Sequence, residues 1–172
     1  MLHWPGGSNS ALKTAEYTDR EGSGGWYHYV VDEVGTYECR DPLYYRGAHA
    51  GSPWNDHYIG VCIASPILVG PTADQRIRDR RLEVVKKTYN DQTVYSLDAV
   101  IAAATMALVS SLCDRFGIPF EFHESLTADI DSPDYRGILC HHHVNPRKWD
   151  CIPWMPELLA AFDVESAFRL HC

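Results

Sequence analysis

Near the middle of the chain stands Tyr58-Ile59-Gly60-Val61-Cys62-Ile63-Ala64, an apolar run without a charged residue. A short run that is apolar at every position, rather than at alternate positions, is typical of a strand covered on both faces. We therefore expect residues 58–64 to form a buried central strand, and the flanking sequence should supply its neighbours in a sheet.

The sequence upstream of this run predicts a β-hairpin. Residues 26–32 are aromatic and β-branched, Glu33-Val34-Gly35 is a turn signal, and residues 36–39 resume the strand pattern. Residues 5–25 are instead rich in Gly, Ser, Thr and charged side chains, which favours a loop followed by at most a short helix. We expect that stretch to contribute little to the core.

The sequence downstream adds two helices and a short strand. Ser96 is a suitable N-cap for a helix that ends at Phe116, because apolar residues recur between them at helical spacing. Residues 137–140 indicate a short buried strand that ends at three histidines, and residues 155–170 a final helix. This order of elements predicts one α/β domain over residues 1–172, with a central mixed β-sheet flanked by helices.

The composition fits a single globular domain and argues against nucleic acid as a partner. With 45% hydrophobic and 22% charged residues, the chain can bury a complete core. Phosphate binding relies on clustered Lys and Arg, whereas the net charge is −8. The one basic stretch, residues 76–87, is interleaved with acidic residues and predicts a solvated helix face.

Two further features concern the cellular compartment. The chain has no long uninterrupted apolar run and its N-terminus lacks the regions of a signal peptide, so we expect no membrane partner and no export signal. The six cysteines include no Cys-x-x-Cys pair and are expected to be mostly free thiols.

The densest group of potential metal ligands lies in residues 141–151. This segment holds three consecutive histidines, an aspartate and a cysteine, all of them zinc-ligand types. On a strand, His141 and His143 would point one way and His142 the other, so at most two could bind one ion. From composition alone, a polar turn with solvated histidines is an equally good interpretation.

Short motifs are spread over nearly the whole chain: Leu2-His3-Trp4, Trp26-Tyr27-His28-Tyr29, Gly47-Ala48-His49-Ala50-Gly51, Asn55 through Ile59-Gly60-Val61-Cys62, Ile138-Leu139-Cys140-His141, and Lys148-x-Asp150. In these residues and in this order the chain resembles the type-2 N-acetylmuramoyl-L-alanine amidases. Peptidoglycan recognition proteins and the small phage lysozyme-amidases belong to the same superfamily.

The resemblance implies a zinc site made of His3, His141 and Asp150. Such a site leaves the fourth zinc position open to water, as hydrolytic zinc sites require. It also implies that Tyr27 lies beside the zinc-bound water and that Lys148 stabilises the negative charge that develops on the substrate carbonyl. Without the resemblance, Tyr27 would be interpreted as an ordinary strand aromatic.

Other positions of the motifs suggest further roles. His49 and Asn55 match positions that line the groove in relatives and are predicted to bind substrate, with a structural role for Asn55 in its loop equally compatible. At the position of Cys62 some bacterial relatives have a glutamate, whereas the phage branch has a cysteine. The chain therefore looks closest to the small phage enzymes, or endolysins. His142 and His143 are predicted to orient the site as outer partners.

The spacing around the third ligand leaves the register open. The interval from His141 to Lys148 differs by one residue from both branches of the family. If His142 is the second ligand, the interval to Asp150 as the third ligand is that of the phage branch. If His141 is the second ligand, the interval to Cys151 is that of the bacterial branch. His141 is favoured because the preceding strand delivers it, and Asp150 because it completes Lys-x-Asp; Cys151 is the main alternative.

The predicted function is zinc-dependent hydrolysis of the amide between N-acetylmuramic acid and the L-alanine of the stem peptide, with Zn²⁺ as cofactor. Peptidoglycan is the expected substrate, and the enzyme is expected to be a monomer. A non-catalytic peptidoglycan-binding module of the same fold is the alternative, and a phage or effector protein that chiefly binds another protein is a third. A phage endolysin would act from the host cytoplasm on the periplasm or cell wall; an injected effector fits equally.

Overall fold

The computed structural model describes residues 1–7, 10–20 and 25–170. In these residues a mixed sheet of four short strands lies at the centre, in the order β1-β4-β2-β3. The strands are β1 (Leu2–His3), β2 (Tyr29–Val31), β3 (Thr36–Glu38) and β4 (Val61–Ile63). β4 runs parallel to β1 and β2, whereas β2 and β3 form an antiparallel hairpin. The predicted mixed sheet and hairpin are therefore confirmed.

The central strand β4 is covered on both faces, as its apolar run predicts. Val61 and Ile63 belong to the large hydrophobic core, and Cys62 packs on the opposite face with Ala11 and Val30. The hydrogen-bonded strand is shorter than the predicted residues 58–64.

Helices pack on both faces of the sheet, and their bounds in the described residues are α1 (Ala11–Thr18), α2 (Pro71–Arg80), α3 (Ala99–Phe116) and α4 (Met155–Arg169). The predicted final helix is thus confirmed. By length and composition α3 is apolar enough to cross a membrane. Here it contributes its buried face to the large core and packs against α4.

α1 contributes more to the core than residues 5–25 led us to expect. Ala11 is fully buried, and its N–H donates to the Asp32 carboxylate at 2.6 Å. Asp32, which directly follows β2, therefore caps the first turn of α1. The two residues are far apart in sequence, so no local sequence pattern predicts this contact.

α3 begins later than predicted, because Asp98 rather than Ser96 is its N-cap. The Asp98 carboxylate accepts from Val100 N–H at 2.8 Å with one oxygen and from Glu83 N–H at 2.7 Å with the other. Ser96 Oγ instead accepts from Val85 N–H at 2.9 Å.

The predicted helix face over residues 76–87 is partly wrong. α2 ends at Arg80, and a small second sheet follows, formed by β5 (Lys86–Tyr89) and β6 (Gln92–Tyr95). Asn90 and Asp91 both have positive φ, which is the conformation of a two-residue type I′ hairpin turn. Arg76 is also half-buried rather than solvated, and its guanidinium contacts the Glu33 carboxylate at 2.5 Å.

The cysteines of the described residues, Cys39, Cys62, Cys113, Cys140 and Cys151, are free thiols, as expected. Cys172 and His171 lie outside the described residues.

Candidate metal centre

The potential metal ligands meet at one end of the sheet because two segments run side by side there. Residues 137–140 form isolated bridges rather than the full strand predicted: Leu2 pairs in parallel with Cys140, and its N–H donates to Leu139 O at 2.6 Å. The residues that follow this pair, His3 and His141, therefore leave the sheet next to each other.

The three consecutive histidines form a 3-10 turn, His141–His143, and not the strand continuation on which two of them would share a face. In a 3-10 turn successive side chains point roughly 120° apart. His143 Nε2 lies 2.7 Å from Ser125 O, and His142 lies 3.1 Å from the same oxygen and 3.4 Å from Asp150 O. All three rings are buried, so the interpretation as a solvated polar turn is wrong.

In the described residues, His3, His141 and Asp150 form a group of donor atoms that could hold a metal ion. The two Nδ1 atoms are 3.1 Å apart, and Asp150 Oδ2 lies 3.7 Å from His3 Nδ1 and 3.3 Å from His141 Nδ1. The residues are only 1%, 6% and 8% exposed, so the donors face one another inside the protein.

The electrostatics of this group suit a cation. Burial lowers the pKa of His3 to about 4, which leaves the imidazole neutral at neutral pH. Burial alone would raise the pKa of Asp150, but its interactions with the flanking imidazoles of His141 and His3 outweigh burial and hold the pKa well below its usual range. A neutral imidazole and an ionised carboxylate are the protonation states in which these groups bind metals.

The alternative ligands lie elsewhere. Cys151 is fully buried in the large hydrophobic core, its thiol contacts that of Cys140, and burial raises its pKa well above the usual value. Both nitrogens of His142 face backbone carbonyl oxygens. The donor group therefore contains Asp150 and not Cys151, and His141 and not His142.

A pocket of about 300 Å³ opens onto the donor group and is lined by His3, Trp4, Gly6, Tyr27, His49, His141, Arg147, Lys148, Trp149 and Asp150. The Tyr27 ring lies 5.4 Å from the His3 ring, and Lys148 is exposed at the pocket mouth. Burial raises the pKa of Tyr27 far above its usual value, helped by Cys62 and Asp150, so its hydroxyl stays protonated. Both predicted catalytic residues therefore line the same pocket as the predicted ligands.

His49 and Asn55 occupy different positions relative to the pocket. His49 lines it, yet its Nδ1 lies 2.9 Å from His3 Nε2 and its Nε2 lies 3.0 Å from Tyr58 O. Asn55 Oδ1 accepts from the backbone N–H groups of His49 at 2.9 Å and Ala50 at 2.8 Å. The Asn55 side chain thus stabilises the loop that carries His49, which is the structural role that the sequence left open.

Sequence reasoning missed the aromatic wall of the pocket. The rings of Trp4 and Trp149 lie 5.5 Å apart, and Trp149 also stacks on Tyr89 at 6.1 Å. Each tryptophan is the immediate sequence neighbour of a predicted ligand, His3 or Asp150, and that adjacency was the available signal.

Taken together, the mixed sheet, the helices on its faces and the pocket over a His-His-Asp donor group define an α/β domain with a candidate mononuclear metal centre. The sequence profile of the N-acetylmuramoyl-L-alanine amidases matches residues 1–154. The chain therefore belongs to this family, whose activity is the cleavage of peptidoglycan at an amide bond. The match ends just before α4. No curated protein and no solved structure matches the chain significantly.

Proposed function

We propose that the chain is a zinc-dependent hydrolase that cleaves the amide between the lactyl group of N-acetylmuramic acid and the L-alanine of the stem peptide, with His3, His141 and Asp150 as zinc ligands. One observation carries the proposal: two imidazole nitrogens and a carboxylate oxygen converge within 3.7 Å, buried beneath a pocket, in a chain of the amidase family.

The spacing of the donors fits zinc. Zinc–nitrogen distances of ~2.0–2.1 Å in a tetrahedron put neighbouring ligand atoms ~3.3 Å apart. The separations among the three donors are 3.1, 3.3 and 3.7 Å. Two imidazoles and a carboxylate, with a fourth position facing the pocket, are the donor set of hydrolytic zinc sites.

When bound there, zinc would polarise the scissile carbonyl and lower the pKa of its water towards neutrality. The chain's own residues would do the rest. Tyr27, kept protonated by burial, donates a hydrogen bond to the oxyanion that forms as the carbonyl becomes tetrahedral. Lys148 at the pocket mouth adds a positive charge on the same oxygen, and the aromatic wall of Trp4 and Trp149 limits the access of bulk water.

The test is digestion of purified peptidoglycan with and without a chelator, followed by measurement of new L-alanine amino groups. We expect amines to be released, to disappear with chelator and to return when zinc is added. The variant Tyr27→Phe should lose roughly 10²–10³-fold in kcat, the range for a lost oxyanion donor. The exposed Tyr17 on α1 offers a matched control, and Tyr17→Phe should behave as wild type.

Binding to peptidoglycan without any release of amines would contradict the proposal. That result would support a non-catalytic peptidoglycan-binding module of the same fold. Release that is unaffected by chelator would reject the zinc dependence while retaining the amidase activity of the family.

A further inference from the structure

The ring of His49 lies in a slot between two glycines. A Cβ added to Gly47 would lie 2.2 Å from His49 Cδ2, and one added to Gly60 would lie 2.5 Å from the same atom. Neither glycine has a positive φ, so the backbone conformation does not demand glycine at these positions. The ring of His49 occupies the space that a side chain would need, and the slot fixes its orientation.

His28 supports the slot from behind. Its Nδ1 accepts from Gly60 N–H at 2.9 Å, its Nε2 donates to Tyr45 O at 2.9 Å, and its ring lies 5.9 Å from that of His49. A Cβ on Gly47 would also come within 2.9 Å of His28 Cε1. The slot is therefore built by several residues and is more than a chance gap.

The hydrogen bonds of the His49 ring dictate its tautomer. Nε2 lies 3.0 Å from Tyr58 O, and because a carbonyl oxygen only accepts, Nε2 carries the hydrogen. In the neutral ring Nδ1 is then an acceptor, and it lies 2.9 Å from His3 Nε2. His3 must donate from Nε2, which leaves a lone pair on its Nδ1.

That lone pair points into the donor group, because His3 Nδ1 is the atom that lies 3.1 Å from His141 Nδ1. We propose that His49 is a positioning residue that fixes the tautomer and orientation of His3, so that His3 Nδ1 binds a divalent cation of the zinc class. This inference rests on the proposed function, since it takes His3 as a ligand. Both ring nitrogens of His49 are engaged, one with Tyr58 O and the other with His3 Nε2, so neither is available to hydrogen-bond a substrate.

The experiment compares variants that change the acceptor or the slot. His49→Asn places an oxygen near the position of Nδ1, whereas His49→Leu keeps a similar volume without an acceptor. Gly60→Ala displaces the ring without touching the donor group, and Gly35→Ala and Gly70→Ala are matched controls because nothing lies within 4 Å of a Cβ there. Circular dichroism would verify that each variant is folded.

The readouts are zinc affinity by competition with a chelator and the visible absorption spectrum of the cobalt-loaded protein. Loss of the partner of a ligating histidine typically costs roughly 10–100-fold in metal affinity. We expect that loss in His49→Leu and Gly60→Ala, together with a changed cobalt spectrum. His49→Asn should recover most of the affinity, and the two control variants should match wild type.

A further readout needs neither metal nor variant. Nitrogen-15 NMR of the zinc-free wild type should show His3 protonated at Nε2, and protonation at Nδ1 would overturn the inference. Equal zinc affinity in wild type and His49→Leu would also overturn it while leaving the proposed function standing. A wild-type protein that binds no zinc would overturn the proposed zinc dependence, and this inference with it.

Discussion

The donor atoms of His3, His141 and Asp150 lie close together although the three residues occupy different backbone conformations. His3 ends a strand, His141 begins a 3-10 turn, and Asp150 precedes a residue in the left-handed region. A buried polar group without a partner is costly. Here the Asp150 carboxylate has the His141 imidazole as a partner at 3.3 Å, so the contact that compensates for burial also brings two of the donor atoms together.

Single substitutions of Asp150 and Cys151 can show which of the two residues is the third metal ligand. We expect Asp150→Ala to lose zinc, because it removes the only carboxylate of the donor group. Cys151→Ala should keep stoichiometric zinc and lose about 1–2 kcal/mol of unfolding free energy, since a small cavity forms in the core. Metal analysis of the purified variants and urea unfolding would measure both effects. Zinc retained in Asp150→Ala and lost in Cys151→Ala would transfer the ligand role to the thiol.

The pH dependence of stability follows from several buried imidazoles. Burial lowers the pKa below its usual value in His28, His49 and His142. Burial lowers the pKa of both His3 and His143 to about 4, against ~6.5 for an unfolded chain. Between these values the unfolded state binds more protons, so the unfolding free energy falls as the pH drops from ~6.5 to about 4. Asp150, whose pKa is depressed, loses its contribution only below the usual carboxyl range of ~3.9.

Thermal melting of the chelator-treated protein across this pH range would measure the effect. His143→Asn keeps an acceptor for Cys140 N–H but has no titrating ring, so its melting temperature should depend less steeply on pH. His57 is exposed, and His57→Ala should retain the wild-type slope. A melting temperature that does not change between pH 7 and pH 5 would contradict the expectation.

At the scale of elements, carboxylates from distant segments order the helix ends. Asp32 at the end of β2 caps α1, and Asp98 connects α3 to the backbone of Glu83. The first turns of these helices are therefore coupled to the sheet and to the loop after α2. This coupling matters for the site because α1 and α3 cover the two faces of the sheet whose end carries His3.

The cap of α3 can be tested directly. Asp98→Ala removes the acceptor of Val100 N–H and of Glu83 N–H, so we expect a loss of about 1–2 kcal/mol in unfolding free energy. Ser10 caps α1 through an exposed bond of 3.4 Å, and Ser10→Ala should cost less, about 0.5 kcal/mol. Urea unfolding compares the two, and an equal loss in both variants would argue against the double role of Asp98.

For the whole molecule, the sequence predicted what local patterns encode. The apolar run around Val61 indicated the central strand, and the family motifs pointed to His3, His141 and Asp150. The contacts that depend on tertiary structure were missed. They are the hydrogen bond from Ala11 N–H to the Asp32 carboxylate and the packing of the His49 ring between two glycines. The turn at Asn90-Asp91 was a local signal that was overlooked.

Zinc should stabilise the entire domain, because the proposed ligands join its first strand to the segment that precedes α4. The unfolded chain holds these residues far apart in sequence, so binding energy adds to the unfolding free energy. Free zinc at 100 times its dissociation constant adds ~2.7 kcal/mol, which corresponds to an increase of roughly 5–10 °C in melting temperature for a chain of this length.

Differential scanning fluorimetry of the chelator-treated protein, titrated with zinc and with magnesium, measures this linkage. Magnesium should have no effect at the same concentration, because it prefers oxygen ligands in octahedral geometry over imidazoles. Asp150→Ala should show little or no shift with zinc, whereas Asp129→Ala, which removes an exposed carboxylate paired with His123, should shift as wild type does. A shift of equal size in Asp150→Ala would mean that zinc binds elsewhere, and equal shifts with both metals would reject a site of two imidazoles and one carboxylate.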